Sequence, residues 1–302
     1  MQTKAWGTFL ALGLIWGTSF LWIKLALEEI QPFMVVFLRL AFGLIGLLVV
    51  MWRQRERLPK EAHTWRAFAV MGLLNVALPW VLITWAETHV TSSLASILNG
   101  TMPLFTTVIA HFALDDEAIT PGRALGLLLG FVGMFILVGR DFNPAALGAD
   151  LLDEGAILLA VLCYAGSIVY ARKRLRGQRP VIQATASIGI AWLTLAVLLP
   201  FTGEWEVPAL PLTWLAVGWL GLLGSCTAFI LSYWLLEAWG PTRSSLLTYV
   251  FPVVGLVLGI TVLDEPADWR LFAGSALVVA GIAFVNWRTL TQLLGRINVP
   301  AG

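Results

Sequence analysis

A guanidinium set in an apolar run has the most chemistry open to it in this chain. Arg39 stands in FLRLAFG, where a charge in hydrocarbon costs ~2.5 kcal/mol or more unless paired or hydrated. Two parallel hydrogen bonds to a ligand carboxylate would meet that need. So would a clamp on backbone carbonyls, or on nearby Glu28 or Glu29. Asn75 and Asn99 are amides in apolar runs, each four residues before a proline, Pro79 and Pro103. Pro252 has Tyr249 about a turn before it, with Ser245 and Thr248 alongside. A proline inside a helix removes a donor and frees a carbonyl a turn earlier. In lipid that carbonyl must face protein or a water-filled cavity. These three prolines are therefore candidate helix breaks or gates. The polar groups beside them either contact a substrate or hydrogen-bond helix to helix. Trp16, Ser19 and Trp219 are further candidates for a cavity wall, although deep tryptophans also serve packing.

Other chemistries lack their residues. The three histidines are scattered, and neither His-Glu-x-x-His nor Gly-x-Ser-x-Gly occurs, so an intramembrane enzyme has no catalytic or metal-binding constellation to use. Without a G-x-x-x-x-G-K-[ST] loop, ATP is not the direct drive and no cofactor is implied. Cys163 and Cys226 read as small core residues. Asn99-Gly-Thr101 matches a glycosylation sequon but lies within the membrane. No carboxylate stands at the centre of an apolar run, where proton pumps usually keep one. Proton coupling would have to use Glu87 with His89, or Glu154. Lys24, a turn from a helix end, can snorkel.

The elements that position these groups follow from composition. Hydrophobic residues make up 59% of the 302 and charged residues 12%, about half the charge of an ordinary soluble domain; the mean hydropathy is +0.84. A lipid bilayer is the expected solvent. The net charge of +1 argues against nucleic acid as a partner. Ten apolar segments approach the bilayer-spanning length: 5–27, 32–52, 65–86, 91–113, 122–139, 152–171, 181–201, 213–236, 244–262 and 269–288. With the N-terminus in the cytoplasm, nearly all Lys and Arg fall inside, only Arg140 and Arg270 falling outside. The positive-inside rule then puts both termini in the cytoplasm.

The chain also repeats itself. TSSLASILNGTMPLF, acidic Asp115-Asp116-Glu117 and a helix with Gly126 and Gly133 return as RSSLLTYVFPVVG, Asp264-Glu265 and a helix with Gly274 and Gly281. Gly7 matches Gly155, Trp16 matches Tyr164, and Lys24 matches Arg172. Five helices per half make the second half enter upside down. The expected fold is an all-α membrane protein of ten transmembrane helices, two inverted five-helix repeats around a central cavity. The repeats cover 1–140 and 151–288, with a short cytoplasmic tail at 289–302. The glycine-faced fifth and tenth helices read as braces.

WGTSF at Trp16–Phe20, FLRLAFG and the repeated Ser-rich, proline, acidic, glycine unit resemble the drug/metabolite transporter superfamily, and within it the EamA-type ten-helix exporters. The resemblance covers roughly residues 5 to 288 and includes exporters of aromatic amino acids and metabolites. It implies a helical basket in the inner membrane that exports small metabolites, with amino acids first among the expected substrates. A multidrug-type exporter of amphipathic compounds and a passive channel or facilitator are the alternatives. Substrate-binding candidates are Trp16, Ser19, Arg39, Asn75, Asn99, Trp219 and Tyr249. A monomer and a homodimer remain equally open.

Overall fold

Prolines fix where several helices begin. Pro32, Pro180 and Pro211 each occupy the first turn of a helix, and Pro121 opens another. The missing N–H costs nothing there, and the ring sets the helical φ. A computed structural model describes residues 2–115, 117–138, 147–203, 205–244 and 247–287. Arg140, Ser245, Asp116 and the expected tail at 289–302 lie outside the described residues, as does the side chain of Thr248.

Among the described residues, eight helices have the length and apolar composition to cross a membrane: α1 Lys4–Leu27, α2 Pro32–Arg53, α3 Ala62–Ala86, α4 Ser92–Ala113, α5 Pro121–Val138, α6 Leu151–Arg174, α7 Pro180–Thr202 and α8 Pro211–Ser232. Two apolar helices that follow are shorter, α9 Leu247–Val262 and α10 Trp269–Val285. The described residues contain no strand. Large apolar side chains such as Phe112, Phe135 and Phe201 stand exposed on the outer surface, where hydrocarbon is the compatible solvent.

Small residues set the helix crossings, since lipid gives helices no hydrophobic reason to associate. Helices α5 and α10 run antiparallel, glycine against glycine. A Cβ added at Gly126 would lie 2.5 Å from Val285 N and 2.6 Å from Gly281 O, and one at Gly133 would lie 2.7 Å from Gly274 O. The two braces thus spend their glycine faces on each other. Gly122 takes no part, having no atom within 4 Å of such a Cβ. Helix α4 crosses α9 through Gly100 on Pro252, Ser96 on Gly255 and Ser93 on Gly259. These serines therefore serve close approach, and Ser96 Oγ donates within its own helix to Ser93 O at 2.9 Å. Gly43 and Gly46 bring α2 onto Ser225 and Cys226 of α8.

Two features recur at one spacing. Trp65 Nε1 donates to Pro59 O at 2.8 Å, and Trp214 Nε1 donates to Pro208 O at 2.9 Å; both partners differ by 149 (214 − 65 and 208 − 59). Helix α3 widens into a π-helix over Leu73–Ala77 and α8 over Trp219–Thr227, again at corresponding places (224 − 75 = 149). Such segments loosen the backbone ladder and often mark functional sites.

The α1–α2 turn is tied to the start of α8. The Glu29 carboxylate accepts from the Thr213 hydroxyl and from the N–H groups of Ala209 and Leu210, the last at 3.0 Å. The Thr213 hydrogen bond, helped by the two backbone ones and opposed by partial desolvation, holds Glu29 below its ordinary pKa. Glu29 therefore does not clamp Arg39, as one reading of the sequence had it. A group depressed in the folded state stabilises it above the ordinary carboxylate value and loses that contribution as pH falls through the folded value. Amide exchange at Ala209 and Leu210, corrected for intrinsic rate, should thus accelerate below the ordinary glutamate pKa. In Glu29→Gln it should be fast already at neutral pH.

Candidate functional site

The π-segments and proline breaks surround one cavity of about 330 Å³, near the lower end of the usual range for small-molecule sites. Its walls come in pairs that obey the repeat spacing. Trp16 and Tyr164 both line it (164 − 16 = 148), as do Phe20 and Ile168 at the same spacing. Asn75 with Gly224, Trp80 with Phe229, and Met102 with Phe251 do so at a spacing of 149. The lining is predominantly aromatic and aliphatic, with a few polar groups.

Arg39 breaks this pairing. Its counterpart one repeat later is Ser187 (187 − 39 = 148), so only one half supplies a charge. The guanidinium lies 3.7 Å over the Trp80 ring, and the residue is 8% exposed. Arg39 Nε donates to Ser225 Oγ at 3.3 Å, whose own proton goes to Leu220 O at 2.9 Å across the widened turn of α8. Among the described residues Arg39 forms no ion pair. Stacking on an aromatic face suits a planar guanidinium and leaves its edge available for a carboxylate.

The π-segment of α8 also turns the Gly224 carbonyl outward, and Trp16 Nε1 donates to it at 3.1 Å. Asn75, inside the matching segment of α3, lines the cavity while its Oδ1 accepts from Ser167 Oγ at 2.7 Å. Asn75 therefore ties α3 to α6 at the edge of the cavity. Asn99 Oδ1 and Thr84 Oγ1 also belong to cavity-lining residues, and neither has a hydrogen-bond partner among the described residues. Buried polar atoms normally find one; both oxygens are enclosed by the protein beside the cavity. Ser19 lines the wall with its hydroxyl donated back to Ile15 O at 3.1 Å.

Two expected wall residues are elsewhere. Tyr249 OH donates to Ile282 O at 3.0 Å and accepts from Asn286 Nδ2 at 3.3 Å, so the phenol ties α9 to α10. A carbonyl at the end of α10 is within its reach, and that rotation carries the ring off the cavity. Trp219 packs on Trp22, ring centroids 5.3 Å apart, and is not part of the lining. Of the prolines, Pro79 is buried just ahead of Trp80. Pro103 opens the second part of α4 after Gly100, and Pro252 seats on Gly100. They shape the helices around the cavity without lining it.

At one end of the bundle, Glu87 is fully buried. His89 does not join it; the imidazole is exposed and Nδ1 lies 3.3 Å from Asp153. Glu154 is buried beside Asp153 on α6. Lys24 reaches toward the same end. Its ammonium donates to Glu87 O at 2.6 Å and Val90 O at 2.9 Å, taking up carbonyls that the end of α3 leaves open. Trp80, Thr84, Tyr164 and Phe251 were not singled out as site residues from the sequence. Tyr164 and Phe251 carried a signal there, as repeat partners of Trp16 and Met102. Thr84 and Trp80 carried none that distinguishes them from other apolar-run residues.

Known proteins resemble this chain over its whole length. A family model described as the EamA-like transporter family matches residues 4–139 and 154–287. The uncharacterized transporter YoaV of Bacillus subtilis (strain 168) is 27% identical over 286 residues, 94% of this chain and 96% of that protein. The uncharacterized inner membrane transporter YedA of Escherichia coli (strain K12) is 29% identical over 302 residues, 98% of this chain and 92% of its own. A crystal structure of a protein 20% identical in sequence has a TM-score of 0.66 and covers 98% of this chain and 99% of its own, a likeness of fold alone.

Proposed function

The chain belongs to the EamA-like transporter family and is a multi-pass integral membrane protein; on that premise we propose that it exports small zwitterionic metabolites, apolar and aromatic amino acids foremost, by alternating access. The observation that carries this is the pairing, in one apolar-walled cavity, of a stacked guanidinium with the side-chain amide of Asn99. Arg39 offers donors for a carboxylate, and the Asn99 amide offers an acceptor for an ammonium group. The aromatic walls would take the side chain. A transporter rather than an enzyme is what the family and its transporter-named relatives support.

We read the architecture as ten helices in two inverted repeats, 1–140 and 151–288. Support comes from the family match at 4–139 and 154–287, the cavity pairs at constant spacing and the antiparallel glycine seam. The Lys and Arg asymmetry favours cytoplasmic termini, and YedA's naming as an inner membrane transporter favours that membrane. Movement is then gradient-driven, without ATP.

Counterflow in proteoliposomes tests the substrate class. An apolar L-amino acid should exchange, whereas its carboxamide and its N-acetyl derivative should each be poor substrates. If the carboxamide moves as fast as the acid, Arg39 does not read a carboxylate and this reading fails. If only amphipathic cations compete, the multidrug-type alternative replaces it.

A further inference from the structure

The end of the bundle above the cavity holds an acid with no visible hydrogen-bonding arrangement. Glu87 follows α3 directly and is 0% exposed, and neither carboxyl oxygen accepts a hydrogen bond among the described residues. A buried carboxylate in that condition is costly by several kcal/mol, because nothing replaces the water it has lost. Its neighbours are otherwise engaged. Lys24 from α1 gives its ammonium protons to two backbone carbonyls. Arg39 from α2 is stacked on Trp80 and bonded to Ser225. Glu265, from the connection after α9, accepts from Ser92 N at 2.6 Å, Ser93 N at 2.9 Å and Ser93 Oγ at 2.6 Å. Those three donors, at the N-terminus of α4, occupy both oxygens of Glu265. From α6, Asp153 is paired with His89, and Glu154 is buried next to it.

Among the described residues, Glu87 is the carboxyl of this group with neither oxygen hydrogen-bonded, whereas Glu154 has one such oxygen. Loss of water raises the Glu87 pKa well above the ordinary range; Lys24 and Arg39 oppose the rise, and Glu265 adds to it. Thr84, one turn earlier on the same helix, lines the cavity with an unpartnered hydroxyl. Glu87 therefore sits behind the substrate cavity at the end where α3, α4 and the α9–α10 connection meet. Opening that end would admit water to it.

We propose that Glu87 is a proton-binding site, protonated while it is sealed from water as in this structure, whose proton exchanges with water as the cavity opens to either side, so that transport is proton-for-substrate exchange. The carboxylate takes one proton from water when its end opens and returns one proton to cavity water when the opposite end opens. No other bond is made or broken. The proposal rests on the transport reading above.

Two measurements test it, and the first needs no substrate. Infrared spectra of the purified protein near neutral pH should contain the carbonyl stretch of a buried protonated carboxyl that is missing from Glu87→Gln. Its absence from the wild type, or its persistence in the variant, overturns the proposal. The second uses proteoliposomes with an apolar L-amino acid and the membrane potential clamped at zero. One-for-one exchange lets a tenfold proton gradient hold a ~tenfold substrate gradient of the same sense in the wild type, with substrate concentrated on the acidic side, since equal free energies mean equal ratios. Glu87→Gln should hold a ratio of ~1, and Glu87→Asp should recover part of the difference. A variant that still sustains the wild-type gradient refutes the coupling. If no amino acid moves at all, the transport reading fails, and the infrared result alone decides whether Glu87 carries the proton.

Discussion

Arg39→Leu should raise the half-saturating concentration of an apolar L-amino acid about 10- to 150-fold, and Arg39→Lys should not restore it. A charge-assisted hydrogen bond contributes about 1.5–3 kcal/mol, and every ~1.4 kcal/mol is tenfold in affinity. The site gives this charge no second source, because the residue one repeat away is Ser187. Lysine carries the charge but not the plane. The guanidinium is held flat over Trp80 at 3.7 Å while Nε is anchored to Ser225, and an ammonium can neither stack that way nor present two parallel donors. The check is a cycle with the carboxamide analogue. The wild type should prefer the acid and Arg39→Leu should transport both alike. Equal losses for acid and amide in the variant would show that Arg39 supports the fold of the cavity instead.

Gly281→Leu should fail differently, by losing the protein and not the substrate. A Cβ at Gly281 would lie 2.6 Å from Gly126 O and against the backbone of Gly130. Those atoms belong to a helix and cannot turn aside as a flexible side chain would. Overpacking a core costs about 1–3 kcal/mol and occasionally more; backbone contact along a whole seam puts this variant at the upper end. The melting temperature in detergent should fall by roughly 10 °C on the scaling for soluble domains of similar size, or the yield of folded protein should collapse. Gly122→Leu is the control, since nothing lies within 4 Å of its Cβ position, and it should melt close to the wild type. Equal tolerance of both substitutions would mean that α5 and α10 do not meet through this seam.

The two variants divide the molecule as its sequence does. The glycine faces of α5 and α10 were legible in advance because spacing along one helix dictates which residues share a face; that they meet each other, and that α4 crosses α9 through small residues, was not. Arg39, Asn75 and Asn99 were legible as well. A polar group in an apolar run must find a protein or cavity environment, whatever the fold. Five residues noted on such grounds, Trp16, Ser19, Arg39, Asn75 and Asn99, line a single cavity. Tyr164 and Phe251 were half legible, through their repeat partners.

Tyr249 and Trp219 were not legible, and the reason is rotational. A helix of known face still turns about its axis to suit its neighbours, and Tyr249 follows a carbonyl on α10. The π-segments matter more. Each inserts a residue into the helical register, so side chains beyond Leu73–Ala77 point where an α-helical spacing would not place them. Thr84 and Trp80 lie beyond that shift. The burial of Glu87 had no sequence signal either, because a glutamate at a helix end is ordinarily solvated.

By itself the sequence determined the solvent, the apolar helices, the internal repetition and the small set of polar groups too costly to leave in lipid. These follow from local composition and periodicity, which accumulate along the chain. Only the tertiary structure decided which of those groups meet, that Arg39 stacks on Trp80, that Asn99 and Thr84 keep unused polar atoms, and that Glu87 is sealed behind them. Convergence depends on helix rotation, crossing and register between segments far apart in the chain, and no local pattern encodes it.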